Sequence, residues 1–139
     1  MQVGGVLNRD LARIIARMGH QDELIVCDAG FAIPDGVETV DLALTKDKPR
    51  VPEVLAVLKA NFAVEKVIVA EETGLHSPSM LREIRDVLGK EMPLETVPHA
   101  ALKARSRGVK AILRTGDFTA YTNVLLVSGA GPGWLVEKP

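Results

Sequence analysis

Short apolar runs alternate with helical patterns along most of the chain, and this alternation limits the possible folds more than any other feature. The runs 24–27 and 67–69 are apolar and rich in β-branched residues, which is typical of buried strands. Apolar residues elsewhere recur at helical spacing, as at Leu11, Ile14 and Met18. Strands that alternate with helices predict an α/β fold with a mostly parallel central sheet flanked by helices on both faces.

The same patterns place the individual elements. Strands are predicted at 23–28, 37–44, 66–70, 94–97, 110–113 and 124–127. Helices are predicted at about 8–18, 51–62, 78–88 and 99–106. Ser77 can cap the third helix, with Pro78 in its first turn. We interpret 71–78 as a loop and the Gly- and Pro-rich tail 129–139 as irregular.

Composition narrows the class of protein. The 139 residues are 47% hydrophobic and fit a single domain over 1–139. Seventeen basic and 18 acidic residues give a net charge of −1 without a basic run, so neither nucleic acid nor a membrane surface is an expected partner. Cys27 is the one cysteine, which excludes an internal disulfide. No secretory leader or membrane span is expected, so we predict a cytoplasmic protein.

The sequence contains little that indicates a common cofactor motif or a metal site. The three histidines, His20, His76 and His99, lie far apart without ligand spacing, so no metal is expected. The glycine-rich stretch 129–133 precedes no helix and contains a proline, so it does not indicate a phosphate loop. Cys27 lies inside an apolar run and is interpreted as a small buried hydrophobe.

Four polar residues are candidates for a site, each with a structural alternative. Asp28 follows a predicted strand, where ligands bind in open α/β sheets, although it can also organise a turn. His20 follows Gly19 at a helix end, where it either contacts the last carbonyls or transfers protons. His99 begins a helix, and Tyr121 lies in a polar loop. These residues support a polar pocket able to move protons, and they do not by themselves identify a reaction.

Several ordered segments resemble the D-ribose pyranase family, which shares a fold with the L-fucose mutarotases. The matching segments are Gly5-Val6-Leu7-Asn8, Met18-Gly19-His20-Gln21-Asp22, Asp28-Ala29-Gly30-Phe31-Ala32-Ile33-Pro34-Asp35-Gly36, Val64-Glu65-Lys66-Val67, Pro98-His99 and Arg114-Thr115-Gly116-Asp117-Phe118-Thr119-Ala120-Tyr121-Thr122-Asn123. The similarity spans about Val3 to Gly129. Fucose mutarotases typically have His where this chain has Gly30, which favours the ribose branch.

The resemblance implies an activity and its residues. His20 matches the proton-donating position, Asp28 and His99 match substrate-binding positions, and Tyr121, Thr122 and Asn123 match the substrate-binding stretch near the C-terminus. The implied reaction interconverts pyranose and furanose forms of D-ribose by general acid–base ring opening, without a cofactor.

The resemblance also implies an assembly, and two alternatives stay open. The family forms homo-oligomers, commonly ring-shaped decamers whose sites are completed by a neighbouring subunit. The chain departs from the family pattern at Ala120, where Pro is usual, and in a longer tail containing Trp134. The alternatives are a non-enzymatic ribose-binding accessory of a transport system and a mutarotase for fucose or another sugar.

Overall fold

The computed structural model describes residues 1–139 and contains six strands, five helices and one 3-10 turn. The strands are β1 (Glu23–Cys27), β2 (Thr39–Asp41), β3 (Val64–Ala70), β4 (Leu94–Val97), β5 (Ala111–Arg114) and β6 (Val124–Ser128). The helices are α1 (Arg9–Arg17), α2 (Val51–Asn61), α3 (Glu71–His76), α4 (Pro78–Leu88) and α5 (His99–Arg105), followed by the 3-10 turn Ser106–Gly108.

All six strands form one sheet in the order β2-β5-β1-β6-β3-β4. The pairs β1–β5, β2–β5 and β3–β4 are parallel, whereas β6 is antiparallel to both of its neighbours, β1 and β3. Five strands therefore run one way and β6 runs the other, which confirms the predicted mostly parallel sheet. The antiparallel strand brings the residues before β6 to the edge where β1, β3 and β5 end.

Two apolar cores confirm that helices cover both faces of the sheet. Strand residues such as Val26 and Leu126 pack on one face with α1, α2 and α4. Their neighbours in sequence, such as Ile25 and Leu125, pack on the other face with Leu102 of α5. Successive strand residues point to opposite faces, so apolar runs without alternation are what a sheet covered on both sides requires.

Two elements differ from the sequence prediction. The strand expected at 37–44 is limited to Thr39–Asp41, because β2 is an edge strand paired with β5 alone and the chain turns back at Thr45–Lys48. The interpretation of 71–78 as a loop was wrong, since a short helix, α3, follows β3 at once. No helix in the structure is both long and apolar enough to cross a membrane.

Candidate active site

Strand β6 brings the segment 121–123 next to Asp28. The antiparallel register pairs Val26 with Val124, so Asn123 comes opposite Cys27, the last residue of β1 and the neighbour of Asp28. The Asp28 backbone N–H donates to Asn123 Oδ1 at 3.0 Å. Asn123 is 1% exposed, and this bond holds its side chain at the edge of the sheet. Two of the predicted site residues are thus joined directly.

Asp28 presents a half-buried carboxylate at this edge. Its Oδ1 accepts a hydrogen bond from the Gly30 backbone N–H at 3.1 Å. Burial raises the pKa of the Asp28 carboxyl above its usual value, because the charged form loses hydration. Backbone N–H groups of Gly30 and Thr122 oppose this change in pKa, since they bind the charged form. A carboxylate held this way retains acceptor capacity for a ligand.

His99 is the first residue of α5 and lies against two aromatic rings. Its ring centre is 5.2 Å from that of Tyr121 and 6.2 Å from that of Phe31, both in edge-to-face arrangements. The His99 backbone N–H donates to the Glu72 carboxylate at 3.1 and 3.2 Å, which satisfies one free donor of the helix start. Its Nδ1 is buried without a partner, so no bond at that nitrogen sets the tautomer.

Tyr121 adopts a left-handed backbone conformation, with φ of 58°. Its carbonyl accepts a 2.6 Å hydrogen bond from the Thr73 hydroxyl. Its ring contacts both His99 and His76, with the His76 ring stacked at 5.3 Å between centres and 28° between planes. The ring therefore has neighbours from two different helices.

These side chains surround one cavity of about 370 Å³, which we call the His99 cavity. It is lined by Asp28, Gly30, Phe31, Ala32, His99, Lys103, Ala120, Tyr121 and Asn123. Asp28, Gly30 and Ala120 also line a neighbouring cavity of about 370 Å³ that reaches Arg114 and Asp117. The mixture of a carboxylate, an imidazole, a phenol and an amide suits a small ligand with many hydroxyl groups.

Lys103 is a lining residue that sequence reasoning missed. It comes four residues after His99 in α5, so both side chains lie on the same side of the helix. That spacing was available in the sequence, since a helix beginning at His99 was predicted. Thr122, in contrast, is fully buried, with its hydroxyl 3.5 Å from the Ala120 carbonyl, and it does not line the cavity.

Cys27 lies at the end of β1 and is fully buried. Burial, with the nearby negative charge of Asp28, raises the pKa of the Cys27 thiol to about 12. The thiol is therefore protonated at neutral pH, which confirms its interpretation as a buried hydrophobe. No group of three His, Cys, Asp or Glu side chains is placed to hold a metal ion.

His20 lies at the end of the sheet where β1 begins, whereas the His99 cavity lies at the end where β1 stops. The next residue, Gln21, donates its backbone N–H to Ser128 at the far end of β6. His20 Nε2 is 3.0 Å from the carboxylate of Glu65, near the start of β3. The length of β1, at about 3.3 Å per residue, puts roughly 16 Å between His20 and Asp28. One chain therefore does not bring His20 to the other predicted site residues.

Comparison with known proteins places this arrangement in a family. Residues 1–131 match the RbsD / FucU transport protein family. The chain belongs to this family. It is 40% identical over 129 residues to the D-ribose pyranase of Pseudothermotoga lettingae. The aligned region covers 93% of this chain and 92% of the relative.

Two solved structures share the fold. RbsD of Bacillus subtilis, solved in complex with D-ribose, superposes with a TM-score of 0.90 at 37% identity, covering 94% of this chain and 99% of that one. The fucose mutarotase of Streptococcus pneumoniae, solved with L-fucose, gives a TM-score of 0.78 at 19% identity, covering 90% and 94%. The likeness to the fucose mutarotase extends to the fold alone, and the sequence identity to RbsD is higher.

Proposed function

We propose that this protein is a D-ribose pyranase, an isomerase that interconverts pyranose and furanose forms of D-ribose without a cofactor. The relative from Pseudothermotoga lettingae carries that name, and the Bacillus subtilis structure is a complex with D-ribose. The observation that carries the proposal is the His99 cavity, where Asp28, His99, Tyr121 and Asn123 meet around a space large enough for a monosaccharide. We further propose that the enzyme acts in the cytoplasm and supports ribose uptake and use.

The reaction requires proton transfer and little else. Ring opening needs one proton delivered to the ring oxygen and one removed from the anomeric hydroxyl, which leaves the open-chain aldehyde. Rotation of the chain then lets a different hydroxyl add to that aldehyde, with the reverse proton transfers. The sugar supplies its own electrophile, so acid–base side chains suffice for the chemistry.

The cavity residues suit the binding of sugar hydroxyls. The Asp28 carboxylate accepts hydrogen bonds, and the phenol of Tyr121 and the amide of Asn123 each donate and accept. His99 adds an imidazole that can do either, depending on its tautomer. Because each buried hydroxyl must be paired, several convergent polar groups distinguish a sugar from an apolar ligand of the same size.

His20 is proposed as the residue that protonates the ring oxygen. An imidazole exchanges protons near neutral pH, and the Glu65 carboxylate at 3.0 Å orients its ring. Since His20 is on the far edge of its own sheet, we propose that it serves the cavity of a neighbouring subunit. The functional protein would then be a homo-oligomer, proposed to be a ring-shaped decamer in which each site takes residues from two chains.

The deciding experiment measures ribose ring exchange by NMR magnetisation transfer. The wild-type protein should accelerate exchange between pyranose and furanose signals of D-ribose. His20→Ala should fold normally by circular dichroism and lose about 10²–10⁴-fold in rate, the usual contribution of general acid–base catalysis. Lys90→Ala, an exposed change in the groove that also contains Glu65, is the matched control and should retain the wild-type rate.

Other outcomes of this experiment assign other functions. Saturable ribose binding without faster exchange would identify a ribose-binding accessory of a transport system. Faster exchange for fucose or galactose than for ribose would identify a mutarotase of different specificity. Wild-type exchange rates in His20→Ala would remove His20 from the mechanism while leaving the enzyme assignment in place.

A further inference from the structure

The junction between α3 and α4 directs two buried hydroxyls toward the loop that carries Tyr121. Thr73 is fully buried and donates to the Tyr121 carbonyl at 2.6 Å. Ser77 is 9% exposed and donates to the Ala120 carbonyl at 2.7 Å. Two successive carbonyls of one loop are thus held by two side chains that lie one helical turn apart.

Ser77 makes this bond in place of the one expected from its position. It is the N-cap residue of α4, where a serine side chain ordinarily accepts a hydrogen bond from a backbone N–H of the first turn. Here the side chain makes no such capping bond. The hydroxyl is engaged with Ala120 instead, so its role concerns the loop more than the start of the helix.

The loop needs such support because Tyr121 is not a glycine. A φ of 58° is unfavourable for a bulky residue, and such a conformation persists only where surrounding contacts impose it. The carbonyls of Ala120 and Tyr121 flank this strained position. Fixing both of them fixes the direction of the Tyr121 Cα–Cβ bond, from which the ring projects.

The same junction also contacts His99, the imidazole of the cavity. Glu72, on α3, accepts the backbone N–H of His99, and His76 stacks on the Tyr121 ring. The junction therefore contacts His99 through Glu72, and it contacts the Tyr121 segment through Thr73, His76 and Ser77. None of these four lines the His99 cavity, so they act on a ligand through the residues they hold.

We propose that Thr73 and Ser77 are positioning residues that hold Tyr121 in its left-handed conformation with its ring against the His99 cavity. The consequence for ribose rests on the proposed function, in which Tyr121 binds the sugar. The conformational part does not, since it concerns the loop alone. Neither hydroxyl touches the cavity, and loss of either one should act on ribose binding through Tyr121.

The test uses the fact that Tyr121 is the one tyrosine of the chain. Protein labelled with ¹⁵N,¹³C-tyrosine gives a single backbone signal, whose Cα and Cβ shifts report the sign of φ. Thr73→Val and Ser77→Ala should shift or broaden this signal away from the left-handed values. Ribose affinity should fall roughly five- to tenfold per hydroxyl lost, about the effect of one hydrogen bond. Exchange at saturating ribose should fall less than exchange at low ribose.

Matched variants separate positioning from general damage. Thr73→Ser and Ser77→Thr keep the hydroxyls and should therefore retain the wild-type Tyr121 signal and the wild-type affinity for ribose. Thr39→Val removes an exposed threonine hydroxyl from β2 and should change neither. An unchanged Tyr121 signal in folded Ser77→Ala would overturn the proposal even if Thr73→Val fails to fold. Wild-type protein that neither binds nor isomerises ribose would instead overturn the proposed function, and the Tyr121 signal would still decide the conformational claim.

Discussion

At the scale of single residues, Asp28 combines a place in the candidate site with a cost to stability. Burial raises the pKa of its carboxyl above the usual value of 3.8, so the folded chain holds this proton more tightly than the unfolded chain. Between 3.8 and the raised pKa, the folded state binds more protons, and the free energy of unfolding falls as pH rises. Ionised Asp28 therefore destabilises the fold at neutral pH.

Asp28→Asn should remove this pH dependence. We expect the stability of the variant relative to wild type to increase as pH rises from 3.8 through the raised pKa, because only the wild type loses stability as Asp28 ionises. Denaturant titrations at several pH values measure the difference. Asp86→Asn, an exposed change on α4, should follow the wild-type curve. Parallel curves for wild type and Asp28→Asn would contradict the expectation.

The sequence allowed most, but not all, of the cavity to be predicted. Asp28, His99, Tyr121 and Asn123 line the His99 cavity as expected of neighbours in a site. The strain at Tyr121 was not predictable, because a left-handed tyrosine has no local sequence signal and depends on contacts 43 and 48 residues away. Residue patterns therefore identify the groups in the site better than the contacts that orient them.

At the scale of elements, Asp117 joins the loop before Tyr121 to the start of α2. It is 1% exposed, and its two carboxylate oxygens accept the backbone N–H groups of Val51 and Thr119, each at 2.9 Å. Val51 is the first residue of α2, so Asp117 caps a helix that is distant in sequence.

Replacing Asp117 by Ala should leave both N–H groups without a partner. We expect the free energy of unfolding to fall by about 2–4 kcal/mol, since the buried Val51 N–H left unpaired costs about 1–3 kcal/mol and the part-buried Thr119 N–H about 1 kcal/mol. Urea denaturation followed by circular dichroism gives the value. Asp86→Ala, at an exposed helix position, should stay within about 0.5 kcal/mol of wild type. A similar small change in Asp117→Ala would show that water replaces the carboxylate.

Elements with their own apolar pattern were predictable, whereas α3 was not. The helix predicted at about 78–88 corresponds to α4, because amphipathic spacing and a proline at its start are local signals. Helix α3 has six residues, including Thr73 and Gly74, which are weak helix formers. Its stability depends on packing and on the bonds to the Tyr121 loop, and neither is visible in a local pattern.

At the scale of the whole molecule, the direction of β6 decides where the site forms. Nine residues without a helix separate Arg114 from Val124. A parallel return needs a crossover of about a dozen residues or more, usually with a helix, so this short connection favours an antiparallel strand. The sequence thus contained a signal for the one reversed strand, although the alternation of elements pointed to parallel pairing alone.

Because His20 lies far from the His99 cavity of its own chain, the proposed mechanism requires an assembly in which a neighbouring subunit supplies this residue. His20→Ala and Asp28→Asn should each inactivate the protein, yet they affect opposite edges of the sheet. If each site takes His20 from one subunit and Asp28 from another, refolding equal amounts of both variants together should leave roughly a quarter of the sites with both residues intact.

NMR exchange on D-ribose measures the recovered rate, with each variant refolded alone as the control. Recovery to about a quarter of the wild-type rate is expected, because the inactive sites do not impair their neighbours. No recovery in mixed oligomers, verified by differently tagged subunits, would mean that each chain builds its site alone, and His20 would then have to act from outside the cavity or not at all.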